Sequence, residues 1–246
     1  MAKQQPRARK VKTRQPINMS HMTKVEPLTD NQDRIFKAWD SGKHMFIYGC
    51  AGTGKTFCVL YKALVDCLKE IPNYDSVYLV RSLVPSREIG FLPGDHDDKS
   101  SLYQIPYKAM VQRMFEMGND NEFEMLYAAL KAQDTIKFWS TSFLRGVTLD
   151  DSVIIIDEMQ NLNFHELDSI ITRVGENSRI IFCGDAEQTD LKNNNERNGI
   201  HDFMRILERL QRDTGEFELI EMGVDDIVRS GLVRNYLLAK KATPLG

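Results

Sequence analysis

No apolar run in this chain approaches the roughly 18 residues of a membrane span, and no apolar segment of signal-peptide type follows its first charges. The sequence therefore reads as cytosolic, with no membrane partner. Cysteine is scarce, and Cys50, Cys58, Cys67 and Cys183 show no C-x-x-C spacing, which excludes a zinc ribbon and a disulfide framework. They read as small buried thiols in a reducing compartment. Acid is missing altogether from the first sixteen residues, and apolar side chains nearly so. No internal repeat is present.

That opening stretch carries Lys3, Arg7, Arg9, Lys10, Lys12 and Arg14, so residues 1–25 are expected to form a basic, disordered tail. Setting its six charges apart from the 32 basic residues leaves 26 against 35 acids, a balance of about −9 for the remainder. The asymmetry points either to an anionic partner such as nucleic-acid phosphate or to a solubilising arm. With 246 residues there is room for about one to one and a half typical domains, and residues 26–246 are expected to form a single one.

The strongest motif within it is Gly49-Cys50-Ala51-Gly52-Thr53-Gly54-Lys55-Thr56, a complete G-x-x-x-x-G-K-T phosphate loop. It follows the apolar run Met45 to Tyr48 and precedes the helical run Phe57 to Leu68, the strand–turn–helix context that the motif requires. Backbone N–H groups of such a turn face phosphate oxygens, Lys55 neutralises the β and γ phosphates, and Thr56 holds Mg²⁺ through its hydroxyl.

Further β-rich runs occur at Ser76 to Val80, Thr135 to Trp139, Ser152 to Ile156, Ile180 to Cys183 and Phe217 to Glu221, with helix-like stretches between. This alternation predicts an α/β fold, a mostly parallel sheet with helices on both faces. The run Ile154-Ile155-Ile156 ends in Asp157-Glu158. There Asp157 is suited to hold Mg²⁺ and Glu158 to orient or deprotonate an attacking water. The runs at Ser76 and Thr135 intervene between the phosphate-loop strand and the Asp-Glu strand, which favours a hydrolase over a switch GTPase. No Asn-Lys-x-Asp guanine-reading motif is present, so ATP is the expected nucleotide. Gln188, in the turn Gly184 to Asp190, can reach the γ-phosphate or the water, and Gln32 can read the adenine edge with its amide. Each also has an ordinary reading, as a turn residue and as a helix surface residue. The Pro- and Gly-containing stretch Leu83 to Gln104 is read as a long loop, and Met110 to Met117 as an apolar helix.

With these residues assembled, the chain resembles the PhoH family of phosphate-starvation-inducible ATPases, with a helicase core of superfamily-1 type. The resemblance spans approximately residues 26 to 240. Beyond the phosphate loop it is carried by Glu88 to Asp95, Leu144 to Thr148, Ile155 to Asn161, Arg173 to Ser178, Gly184-Asp185 with Gln188, and Asp226 to Ser230 with Leu232-Val233. Gly90-Phe91-Leu92-Pro93-Gly94-Asp95 is the most specific segment. The resemblance implies a RecA-like core, ATP hydrolysis with Mg²⁺, and work on RNA or single-stranded DNA. It is also similar to short members from tailed bacteriophages. Ser230 departs from it, since a histidine usually follows the late arginine.

Superfamily-1 helicases close ATP between two lobes, the second supplying an arginine. One lobe is expected here, so the arginine must come from the same lobe or from a neighbouring subunit of a ring, a hexamer as the resemblance suggests. Arg229 leads the candidates, followed by Arg234, Arg145 and Arg87. The Leu83 to Gln104 loop lines a channel with Arg87, Phe91, His96 and Lys99, or else packs against a neighbour. The remaining functional alternatives are an ATP-gated protein-remodelling ring and, more weakly, a small-molecule kinase.

Overall fold

The computed structural model describes residues 17, 19–81, 96–144, 146–185 and 194–243. Six strands, β1 (His44–Gly49), β2 (Ser76–Arg81), β3 (Ile136–Ser140), β4 (Ser152–Asp157), β5 (Arg179–Gly184) and β6 (Phe217–Met222), form one sheet in the order β3-β2-β4-β5-β1-β6. Every pairing is parallel. The helices are α1 (Asp30–Asp40), α2 (Lys55–Leu68), α3 (His96–Gln112), α4 (Asp120–Ala132), α5 (Phe164–Ile171), α6 (Asn194–Thr214) and α7 (Gly231–Ala242).

Period-two alternation sends each strand's side chains to two cores. In β4, Val153 and Ile155 join α1 to α4 on one face, with Ile35, Leu60, Val111 and Leu130. Ile154 and Ile156 join α5 and α6 on the other, with Leu167, Phe203 and Leu207. Because both faces are covered, all six residues of β4 and of β5 are buried, which is why these strands read as near-unbroken apolar runs. The expected α/β fold with a parallel sheet between helices is the one observed.

Three expectations are corrected. The strand lying between the phosphate-loop strand and the Asp-Glu strand is β5, whereas β2 and β3 lie beyond β4; they intervene in the chain but not in the sheet. Residues 96–104 are not loop but the first half of α3, whose backbone accommodates Pro106. That helix stops at Gln112. Met110 to Met117 is therefore no continuous helix, and Phe115 instead forms an antiparallel bridge with Met22. Val111, Met114 and Phe115 are core residues.

The two tryptophans lie at opposite ends of the strands. Trp39 is buried where β5 begins, with its indole N–H donating to Asp66 and the Arg179 guanidinium 4.5 Å from its ring centre. Trp139 is one residue from the end of β3, edge-on to Tyr78. No described helix is long and apolar enough to cross a membrane.

Candidate active site

Parallel strands bring their C-terminal ends to one edge of the sheet, so Gly49, Arg81, Asp157 and Gly184 reach the same rim. The phosphate loop leaves β1 there. Gly49 has φ +113°, and a Cβ on it would stand 2.2 Å from the Met222 carbonyl oxygen of β6, so only glycine fits. The loop returns into α2, whose first residue is Lys55.

Lys55 is 9% exposed, and its ammonium donates to the carbonyls of Gly49 at 2.8 Å and Cys50 at 2.7 Å. Burial lowers its pKa, opposed by Cys183, Asp185 and Asp157 nearby. The Thr56 hydroxyl donates to Asp157 Oδ1 at 2.7 Å. Among the described residues no three His, Cys, Asp or Glu side chains gather as an all-protein metal cage. A hydroxyl and a carboxylate side by side are instead the hard-oxygen pair that suits Mg²⁺, which keeps waters and takes phosphate oxygens.

Two residues beside this pair were given no role in the sequence reading. Tyr107, 3% exposed on α3, donates its hydroxyl to Asp157 Oδ2 at 2.7 Å. Its pKa is raised, first by burial and then by the Asp157 charge, so the hydroxyl keeps its proton and acts as donor. Gln160 donates its amide to Glu158 and accepts the Asp185 N–H at 3.1 Å, joining the end of β4 to the end of β5. Glu158 itself sits at φ +53°. That strained conformation turns the chain sharply after Asp157 and ends the strand. Arg81, in register with Asp157, holds its guanidinium 5.6 Å from the Tyr103 ring centre. A pair of hydroxyl donors on one carboxylate leaves no trace in sequence spacing, but Gln160 was in view within the matching Ile155 to Asn161 segment.

Gln32 is 3% exposed: its Oε1 accepts from the Leu28 N–H at 2.8 Å and its Nε2 donates to the Thr53 carbonyl at 2.9 Å. It braces the loop from α1, whose N-cap is Thr29. The connection after β6 latches the loop from the other side. Val228 N–H donates to the Gly52 carbonyl at 3.1 Å, and a Cβ on Gly52 would meet Arg229 Cγ at 2.7 Å. Arg229 thus lies on the phosphate loop of its own chain. Arg234, further on in α7, pairs with Asp225. Ala51, exposed, tips the loop. Gln188, Arg87, Phe91 and Arg145 lie outside the described residues.

One segment of the resemblance lies elsewhere. Residues 173–178 stand where β4 and β5 begin: Ser152 N–H donates to Ser178 Oγ and Glu176 N–H to Asp150 Oδ1. They tie strands together far from the phosphate loop.

The family model described as PhoH-like protein matches residues 24–240. A PhoH-like protein of Mycobacterium leprae is 34% identical over 211 residues, 85% of this chain and 56% of that one. Protein PhoH of Escherichia coli K12 is 31% identical over 210 residues, again 85% and 56%. The chain thus spans little more than half the length of these relatives. Among solved structures, the large terminase of a thermophilic bacteriophage in complex with ADP aligns with a TM-score of 0.48 and 11% identity, over 86% of this chain and 49% of that one. A family model matched from residue 24 to residue 240, on a chain whose phosphate loop and Asp-Glu strand end meet at one sheet edge, makes this protein a member of the PhoH family of phosphate-loop NTPases.

Proposed function

We propose that the protein is an ATP-hydrolysing motor that acts on RNA or single-stranded DNA as a ring, a hexamer by its family resemblance. The observation that carries the ATPase reading is the 2.7 Å bond between Thr56 and Asp157, directly behind the lysine of the phosphate loop. Lys55 meets the β and γ phosphates by exchanging its two loop carbonyls for phosphate oxygens, which restores full charge pairing to a buried ammonium. Thr56 and Asp157 hold Mg²⁺, whose charge screens the phosphates when it is bound. Glu158, steadied by Gln160, orients the water and takes its proton. Gln188 couples the cycle to movement.

A cleft of about 520 Å³ between the start of α1 and the connection after β6, lined by Leu28, Thr29 and Asn31 and by the acids Asp30, Glu221, Asp225 and Asp226, is where the adenosine would sit. Arg229 supplies positive charge to its own chain's site, since its side chain already lies over Gly52. The basic residues 1–25 favour a polyanion as the track, in the cytoplasm of a bacterial or phage-infected cell.

The test is ATP hydrolysis by the purified chain with and without single-stranded RNA and single-stranded DNA, at low and moderate salt. Stimulation that fades with salt is the expected result. Robust turnover indifferent to both polymers refutes the nucleic-acid motor in favour of a protein-remodelling ring, and phosphate transfer to an acceptor other than water would make it a kinase.

A further inference from the structure

We infer that Tyr107 is a positioning residue for the cation, and that it ties the Mg²⁺-holding carboxylate to helix α3. The inference rests on the reading of Thr56 and Asp157 as the residues that hold Mg²⁺, and goes beyond it in naming what orients them.

Asp157 ends a buried strand and is itself 9% exposed, so the direction of its carboxylate is set by the packing around it and by what its two oxygens bond. Oδ1 bonds Thr56 and Oδ2 bonds Tyr107, both at 2.7 Å. The two donors differ in kind. Thr56 belongs to the phosphate loop and is a cation ligand in its own right. Tyr107 comes from the helix that follows β2, is held by its ring against Phe138 of β3 at 5.7 Å between centroids, and has no route to phosphate. It can act only through Asp157. By fixing Oδ2, it leaves Oδ1 turned toward Thr56, so that the two oxygens that would hold Mg²⁺ lie side by side. A core tyrosine that merely needed an acceptor would satisfy itself on any carbonyl; this one uses the one carboxylate bonded to Thr56. Arg81 and Tyr103, one helical turn before Tyr107, stack at the same rim, so α3 meets the site at two points.

The experiment measures binding of a methylanthraniloyl fluorescent ATP analogue in EDTA and across a titration of magnesium chloride, for wild type, Tyr107→Phe and Phe138→Leu. Wild type is expected to bind more tightly as Mg²⁺ is added. Tyr107→Phe should bind the analogue in EDTA as wild type does but need roughly tenfold more Mg²⁺ for half of the gain. Phe138→Leu loosens the ring packing only; it should lower thermal stability and leave the Mg²⁺ requirement in place. In wild type alone, amide exchange across residues 103–112 should slow when Mg²⁺ is added to the nucleotide complex. An unchanged Mg²⁺ requirement in Tyr107→Phe, or exchange in α3 indifferent to Mg²⁺, overturns the positioning role. Absence of any Mg²⁺ effect in wild type overturns the underlying cation reading first, and is recognised without either variant.

Discussion

Substituting Gly52 by alanine tests whether Arg229 really sits on its own phosphate loop. Two costs arise. Gly52 has φ +79°, a conformation that costs an L-residue about 1–2 kcal/mol. The new Cβ would also stand 2.7 Å from Arg229 Cγ, inside contact distance. Because Cγ is only two carbons from the backbone, the whole guanidinium must swing away to relieve it, and overpacking of this kind costs about 1–3 kcal/mol. In an Arg229→Ala background the second cost vanishes, since the arginine Cβ is 3.8 Å away, an ordinary contact. Gly52→Ala should therefore destabilise the wild-type background by about 3 kcal/mol and the Arg229→Ala background by about 1.5 kcal/mol. The assay is urea unfolding of the four proteins of this cycle. Additivity within about 0.5 kcal/mol would refute the seating of Arg229 on Gly52.

The same placement predicts that mixing Arg229→Ala with Lys55→Ala subunits yields no turnover beyond that of each alone; recovery, once subunit exchange is verified, would move the arginine's action to a neighbouring subunit. Glu158→Gln should bind ATP as wild type does while single-turnover hydrolysis falls by about 100-fold or more, and a normal rate would remove Glu158 from proton transfer. Asp226 fastens α1 to the connection after β6, accepting from Asn31 Nδ2 and the Gly223 N–H, both at 2.8 Å. Burial pushes its carboxyl up, but bonds from Thr29, Asn31 and Gly223 outweigh this and hold it below the ordinary 3.8. A depressed folded pKa adds stability that is present above the ordinary value and lost as pH falls through the folded one. Asp226→Asn should thus cost roughly 1–2 kcal/mol at pH 7 and less at pH 3, as read by chemical denaturation; an equal loss at both would contradict the sign.

All six strands were legible because each is a β-rich run flanked by turn or helix signals, and the phosphate loop because its spacing is set by the shape of a phosphate. Their order across the sheet was not, since parallel strands buried on both faces look alike in sequence: nothing in Ile180-Ile181-Phe182 says that it lies beside Met45-Phe46-Ile47 rather than at an edge. The first half of α3 was read as loop because the stretch from Leu83 carries Pro85, Gly90, Pro93 and Gly94 and runs into the charged residues 95–99; these are breakers and solvated residues by composition, yet the charged run does not forbid a helix, and α3 starts within it at His96. Tyr107 was invisible for a different reason. Its partner is 50 residues away, and a buried aromatic in an apolar stretch carries no mark of the carboxylate at its far end. Arg229 was found as a candidate, but which chain's site it serves is a matter of distance, and distance is what the sequence withholds.

The separation of the two tryptophans gives the protein two built-in optical reporters. Trp139 lies on β3, two strand spacings or roughly 10 Å from the Asp157 strand end, so its emission should register events at the phosphate rim. Trp39, locked between Asp66 and Arg179 at the opposite pole, should stay silent until the domain itself comes apart. Replacing either one by phenylalanine would let light emission alone distinguish a change at the rim from loss of the fold.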